Sequence, residues 1–194
     1  MPIVIHDNYL KRLCGVDNYL SNYNYNETNL LKLKNYEKLP TLSEILSIVD
    51  GNTPILIELK KLSETQNHKF FKSEFYSLLK KYLGPLALMS FDLKLINYLS
   101  KKLPNIQRGL VLESYDYTNK IFSSNVENRI TERQIQKNAI SFVSFEYSKL
   151  TKEFYNINKT KKRNVIAWTI NSEFDARRMK NFFDNMTFEG FKPI

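Results

Sequence analysis

Apolar runs of strand length recur along this chain at spacings that leave room for a helix, and this alternation constrains the fold more than any other feature. The six runs are Ile55 to Leu59, Leu86 to Ser90, Gly109 to Leu112, Ile140 to Phe145, Val165 to Ile170 and Met186 to Phe188. The segments between them have helical periodicity. Strands and helices that alternate in this way predict an α/β fold with a parallel sheet.

The predicted helices begin at side chains that commonly cap helices. These candidate caps are Thr41, Asp92, Thr131 and Ser172. Thr41 opens a capping box ahead of an amphipathic helix over Leu42 to Val49. Further helices are predicted for Phe70 to Leu83, before a Gly-Pro pair, and for Glu173 to Phe183.

The first 40 residues do not share this order. Pro2 to Asp7 has the pattern of a strand, and the Tyr- and Asn-rich segment up to Pro40 predicts a loop with short turns. The length of 194 residues fits one domain, and no linker interrupts it. We therefore expect a single domain over residues 1–194.

Composition narrows the class of protein. No apolar run approaches the ~20 residues that cross a bilayer, and the amino terminus has no export signal, so we expect a cytoplasmic protein without a membrane span. The net charge of +9 comes mainly from scattered lysines, and no nucleic-acid-binding motif accompanies it, so we expect no nucleic-acid partner. Cys14 is the single cysteine, which excludes an internal disulfide.

Two arrangements of the repeated strand and helix remain open, a doubly wound sheet and a barrel. A doubly wound nucleotide-binding fold has a Gly-rich first turn, and the sequence contains neither G-x-G-x-x-G nor a P-loop. The pattern thus favours a (β/α)₈ TIM-type barrel. Because a complete barrel typically takes ~250 residues, part of a barrel fits this length better.

Glu58 and Lys60 end the first apolar run two residues apart, so both side chains project from one face of a strand at its carboxyl end. Such ends carry the chemistry of α/β folds. One interpretation is half of a site for a cation and a phosphate; the other is a plain ion pair. With two histidines and one cysteine in the chain, a metal site would rest on carboxylates, which favours Mg²⁺ or Ca²⁺ over Zn²⁺.

His6 follows an apolar run in the same way and is a candidate general acid or base, with Asp7 to orient it. The other histidine, His68, is expected at the surface. Polar or aromatic side chains also end most of the later strands. They are Phe91, Asp92, Glu113, Glu146, Trp168 and Glu189.

Six blocks of sequence, in their order along the chain, resemble the glycerophosphodiester phosphodiesterase family. The blocks are Ile3-Val-Ile-His6-Asp7-x-x-Leu10-x-Arg12, Leu39-Pro-Thr-Leu-Ser-Glu-Ile-Leu46, Ile55-Leu-Ile-Glu58-Leu-Lys60, Met89-Ser-Phe-Asp92, Arg108-Gly-Leu-Val111 and Ala167-Trp-Thr-Ile-Asn-Ser172. The resemblance implies a (β/α)₈ barrel and hydrolysis of glycerophosphodiesters to an alcohol and glycerol 3-phosphate, with a divalent cation.

The same resemblance implies a role for five residues. His6 would be the second of the family's two catalytic histidines, and Glu58 would be its third metal ligand. Lys60 would contact the phosphate of a small-molecule glycerophosphodiester, while Trp168 and Phe91 would line its pocket. Mg²⁺ or Ca²⁺ would be the cofactor.

The family's first histidine lies in a His-Arg-Gly motif and its other two ligands lie in Glu-x-Asp, and neither motif precedes Pro2. We therefore expect a barrel without its first βαβ segment, with about six of eight strands, and with activity impaired or lost unless an amino-terminal fragment complements it. The alternatives are a catalytically dead remnant and a non-catalytic module that binds phosphate or other anions.

Overall fold

A computed structural model describes residues 2–60, 73–124 and 128–193 of the chain. The described residues form two compact units. The first, called here the helical unit, lies within Met1–Pro54 and Lys69–Pro85. The second, the sheet unit, lies within Ile55–His68 and Leu86–Ile194.

Short helices and turns make up the helical unit. Its elements are α1 (Lys11–Cys14), a 3₁₀ turn (Leu20–Asn22), α2 (Tyr25–Thr28), α3 (Leu42–Val49) and α4 (Ser73–Lys81). The capping box of α3 is confirmed, because Thr41 Oγ1 accepts from the Glu44 amide while a Glu44 carboxylate oxygen accepts from the Thr41 amide. The prediction of short turns before Pro40 is also confirmed.

The strand predicted for Pro2 to Asp7 is wrong. Only Ile3 pairs, in an isolated antiparallel bridge with Thr41. On one side of the bridge the partner backbone turns into α3 after Thr41, and on the other side Pro40 has no N–H to donate to a further pair. The segment is held instead by apolar packing of Ile3 and Ile5 against Leu10 and its buried neighbours.

The sheet unit contains nine strands and four helices among its described residues. In chain order they are β1 (Ile55–Glu58), β2 (Leu86–Ser90), α5 (Leu93–Lys102), β3 (Gln107–Leu112), β4 (Ser114–Asp116), β5 (Ile121–Ser123), β6 (Arg129–Thr131), α6 (Glu132–Lys137), β7 (Phe142–Glu146), α7 (Lys152–Thr160), β8 (Asn164–Ile170), α8 (Glu173–Met179) and β9 (Asn185–Phe188). A 3₁₀ turn (Tyr147–Lys149) follows β7.

Six of these strands form one parallel sheet in the order β1-β2-β3-β7-β8-β9. They coincide with the six apolar runs of the sequence, so the predicted parallel α/β sheet is confirmed. The strands β4, β5 and β6 form a separate antiparallel sheet. The sequence did not predict it, because strands of three residues are too short to display an alternation.

Alternate side chains give the parallel sheet two different faces. One face packs against the helices in a large core that includes Val143, Phe145 and Val165 together with Phe154 of α7. The opposite face, called here the inner face, carries a smaller cluster around Met89, Val111 and Phe142. Gly109 also lies on this face. Only glycine fits there, because a Cβ would stand 2.0 Å from the Phe142 ring.

The parallel sheet curls into a half-barrel. Phe91, just after β2, and Trp168, on β8, have ring centroids 5.7 Å apart, although two strands lie between theirs in the sheet. Three strand spacings in a flat sheet would separate them by roughly 14 Å. The curl therefore brings side chains of the inner face together, which is the arrangement expected of a barrel.

In the described ranges β1 and β9 each pair on one side only, so the sheet has two open edges there. No helix in these ranges has the length and apolar character needed to cross a bilayer.

Candidate functional site

Glu58 and Lys60 lie at the carboxyl end of β1, as predicted. Glu58 is in register with Met89, so it points to the inner face. The ammonium Nζ of Lys60 donates to Glu58 Oε1 over 2.7 Å. The backbone here is held by Leu59, whose amide donates to the Met89 carbonyl and whose own carbonyl accepts from Ser90 Oγ. The pair thus sits on a fixed strand end.

This ion pair is accessible to solvent. The Lys60 side chain is 39% exposed and the Glu58 side chain 23% exposed. Exposed pairs of this kind contribute only about 0–1 kcal/mol. An anion that approached Lys60 could therefore replace Glu58 at small cost.

Phe91 and Trp168 form an aromatic wall on the same face. Their rings meet edge to face at 81° and pack against the inner-face cluster of Met89, Val111 and Phe142. The Trp168 indole Nε1 is buried and has no hydrogen-bond partner among the described residues. An apolar wall of this kind suits a ligand that has a carbon skeleton.

Ser144 is a candidate that the sequence reasoning missed. It is fully buried on β7, in register with Val111 and Ile166 of the inner face. Within the described ranges its Oγ lacks a hydrogen-bond partner. Buried groups without partners are rare and call for an explanation such as a bound ligand or water. The available signal was a lone serine inside the apolar run Phe142-Val-Ser-Phe145.

His6 belongs to the helical unit. Its ring Nδ1 lies 2.6 Å from Asp7 Oδ1, and its side chain is 73% exposed. Asp7 also accepts two hydrogen bonds from Arg12, from Nε over 2.5 Å and from Nη2 over 2.9 Å. The hydrogen bonds from Arg12 and then from His6 hold the pKa of Asp7 well below its usual range. Arg12 is thus a further member of this cluster.

Two of the remaining polar strand ends have local structural roles. Asp92 caps α5, because its Oδ1 accepts from the amides of Lys94 and Leu95. Glu146 pairs with Lys149 over 3.0 Å.

His68, predicted at the surface, lies outside the described residues. The predicted caps Thr131 and Ser172 are confirmed on α6 and α8.

The described residues do not by themselves make a cation site. No group of three or more histidine, cysteine, aspartate or glutamate side chains in the described part of the chain is arranged to hold a metal ion. Glu58 offers one carboxylate, and its charge is already balanced by Lys60. One monodentate or bidentate ligand falls short of the six to eight oxygen ligands of Ca²⁺ or the octahedral set of Mg²⁺, unless water fills the remainder.

Solved structures with this fold are numerous. A phosphodiesterase from Oleispira antarctica, in complex with the product sn-glycerol-3-phosphate, matches 96% of this chain and 74% of its own, with a TM-score of 0.80 and 19% identity. A glycerophosphodiester phosphodiesterase from Parabacteroides distasonis matches 96% and 73%, with a TM-score of 0.75 and 18% identity. These similarities show a shared fold.

A further neighbour is the glycerophosphodiester phosphodiesterase from Thermotoga maritima, which is 24% identical, with a TM-score of 0.68 over 96% of this chain and 74% of its own. A search of curated proteins gives no match. The model of the glycerophosphoryl diester phosphodiesterase family, by contrast, matches residues 1–186, which is nearly the whole sequence. The chain therefore belongs to the glycerophosphoryl diester phosphodiesterase family.

Proposed function

We propose that this chain hydrolyses glycerophosphodiesters to glycerol 3-phosphate and an alcohol, as its family does. The site of this reaction would be the carboxyl edge of the parallel sheet. The observation that carries this proposal is the meeting of two features on the inner face. The Lys60 ammonium, whose partner Glu58 can be replaced by another anion, follows β1, and an aromatic wall, Phe91 and Trp168, lies at the same edge. Together they match a ligand with a charged phosphate and a short carbon skeleton.

Each residue then has a distinct part. Lys60 exchanges Glu58 for a phosphate oxygen, which neutralises charge where it builds up during cleavage. Phe91 and Trp168 bind the glycerol carbons through their rings. His6 would transfer the proton at the phosphodiester as general acid or base.

Enzymes of this family generally depend on a divalent metal. We propose that Glu58 is one ligand of Mg²⁺ or Ca²⁺ and that the other ligands come from outside the described residues. The cation would supply Lewis-acid stabilisation of the phosphate. The cytoplasmic location and the lack of a nucleic-acid partner stay predictions.

We also propose that one domain spans residues 1–194 and that a further βαβ segment completes it. The support is the pair of open edges on β1 and β9, which two added parallel strands would satisfy. A fragment that supplied such strands would raise activity when mixed with this chain. We propose that the activity of this chain is impaired when no such fragment is present.

A non-catalytic phosphate-binding module is the second candidate, and it is favoured by the incomplete ligand set that the described residues provide around Glu58. The two functions differ in their need for a cation. Hydrolysis would stop when EDTA removes the metal, whereas phosphate binding by Lys60 alone would continue.

Release of glycerol 3-phosphate from glycerophosphocholine, with Mg²⁺ or Ca²⁺ and with EDTA, tests the proposal. His6→Ala should lower the rate by about 10²–10⁴-fold, as for loss of one acid or base. The matched control is His68→Ala, since it removes the other histidine and should leave the rate unchanged. No release under either cation, with or without a complementing segment, would overturn catalysis and leave the binding module.

A further inference from the structure

The contacts around His6 define which of its two nitrogens carries the proton. We infer that Arg12 clamps the Asp7 carboxylate, and that Asp7 thereby fixes neutral His6 as the Nδ1–H tautomer, with Nε2 left as the basic nitrogen. Asp7 and Arg12 are then positioning residues. The inference about catalysis rests on the proposed function, but the tautomer itself does not.

Asp7 is the acceptor in its contact with His6. Two N–H groups of Arg12 point at its two oxygens, Nε at Oδ2 and Nη2 at Oδ1. These hydrogen bonds keep the pKa of Asp7 far below neutral pH, so its carboxylate has no proton to give. The 2.6 Å contact with His6 Nδ1 can therefore form only if the imidazole nitrogen donates.

Arg12 does not compete for that nitrogen. Its Nη2 lies 3.4 Å from His6 Nδ1, beyond the 2.7–3.2 Å of a good N–H hydrogen bond, and it is 2.9 Å from Asp7 Oδ1. Arginine always donates, so a bond to Nδ1 would need the opposite tautomer. The shorter contacts select Asp7 as the shared acceptor of both side chains.

The backbone presents this cluster in a fixed order. Leu10 is fully buried between His6 and Arg12, and Ile5 packs against the same apolar cluster. Arg12 lies in α1, which begins four residues after Asp7. Because both flanks are anchored, the three polar side chains meet at Asp7, and the His6 side chain stays 73% exposed.

The consequence is a defined direction for proton transfer. Within the described residues no hydrogen bond involves His6 Nε2, so this atom is open to a ligand. A neutral Nε2 takes up a proton as a base, while the hydrogen bond from Nδ1 to Asp7 keeps the ring in one orientation. A histidine without such a partner favours the Nε2–H tautomer in water, which points the basic lone pair toward the backbone side.

Nitrogen NMR of the ¹⁵N-labelled chain at alkaline pH measures the tautomer directly, because protonated and bare ring nitrogens differ in chemical shift. The chain has only two histidines, and His6→Gln identifies the signals of the first. We expect His6 to be mainly Nδ1–H. Predominance of Nε2–H in the unmodified chain would overturn the inference.

Variants test each link. Asp7→Asn should lower the ratio of Nδ1–H to Nε2–H molecules by about tenfold, the low end for a hydrogen bond to a charged acceptor. Arg12→Gln should lower it by less, and Arg12→Lys, which keeps the charge, should recover part of the loss. An unchanged ratio in Arg12→Gln would refute the clamp.

Lys11→Gln is the matched control, since Lys11 neighbours Arg12 on the same helix and pairs with Asp17 instead, over 3.6 Å. It should leave the His6 ratio unchanged. Dispersion of the amide spectrum shows that each variant is folded. If the tautomer is as expected but no hydrolysis is found, the proposed function fails and the clamp stands; hydrolysis with the Nε2–H tautomer refutes the clamp alone.

Discussion

The two charged clusters that contain the predicted site residues Glu58 and His6 are held in place in different ways. Glu58 and Lys60 stand on a strand whose position is set by a parallel ladder with β2. His6 and Asp7 stand on a turn that is held by a bidentate arginine and by one buried leucine, Leu10. The first cluster depends on many backbone hydrogen bonds, and the second on a few side chains.

This difference determines which mutations should disturb each cluster. The sheet rests on a large continuous core, whereas the turn rests on a cluster with three buried members, Leu10, Leu31 and Leu39. A small cluster loses a larger share of its contacts when one residue is truncated. Its polar side chains should therefore be easier to displace than Glu58 and Lys60.

The largest expected effect comes from the sheet core. Phe154 is fully buried and its ring centroid lies 3.9 Å from that of Phe145. Phe154→Ala should lower the free energy of unfolding by about 3–5 kcal/mol, measured by urea denaturation. Leu10→Ala should cost about 2 kcal/mol, near the low end for leucine, because its smaller cluster can collapse. Equal losses in the free energy of unfolding for the two variants would contradict the difference between the large sheet core and the small cluster around Leu10.

Hydrogen exchange sharpens this comparison. Leu10→Ala should speed exchange of the amides of Val4 and Leu20, which donate to loop carbonyls, and leave those of Val143 and Val165 slow. Faster exchange along β7 and β8 in this variant would contradict the local account.

A helix cap gives the next effect. Asp92 caps α5 directly after β2, and Asp92→Ala should lower the free energy of unfolding by about 1 kcal/mol. Asp92→Asn keeps an acceptor and should recover most of the loss. A loss equally large in both variants would show that the carboxylate charge, and not the cap, matters.

The smallest effect is a pH dependence in the helical unit. Hydrogen bonds from the Lys38 ammonium and then from Thr41 hold the pKa of Glu44 at about 2, below its ordinary 4.5. A carboxylate with a lowered pKa in the folded state stabilises the protein above its unfolded pKa and loses this as the pH falls toward the folded value. The melting temperature of Glu44→Gln should thus approach that of the unmodified chain between about pH 5 and pH 2.

Glu37→Gln is the control for that measurement, because it removes one carboxylate from the same unit. The difference in melting temperature between Glu37→Gln and the unmodified chain should not show the decrease between about pH 5 and pH 2 that is expected for Glu44→Gln. A Glu44→Gln difference that stays constant down to pH 2 would rule out the effect.

The sequence predicted the sheet well because its central strands, such as β3 and β7, are buried on both faces and appear as apolar runs. It also placed Glu58 and Lys60, since alternation along one strand is enough to put both on one face. Arg12 had no assigned role before the structure, because its bonds to Asp7 depend on a four-residue helix and not on a period. Ser144 was not identified as a candidate site residue for a different reason, since one serine in an apolar strand forms no recognisable pattern.

The direct test of the site uses the single tryptophan of the chain, Trp168. Titration with glycerol 3-phosphate, in the presence of Mg²⁺ or Ca²⁺, should change its fluorescence to a saturating value. Lys60→Met should abolish this change, whereas Lys159→Met, which removes a lysine paired with Asp184 on another part of the sheet unit, should not. A titration without any change, or one that is unaffected by Lys60→Met, would contradict a phosphate site at the end of β1.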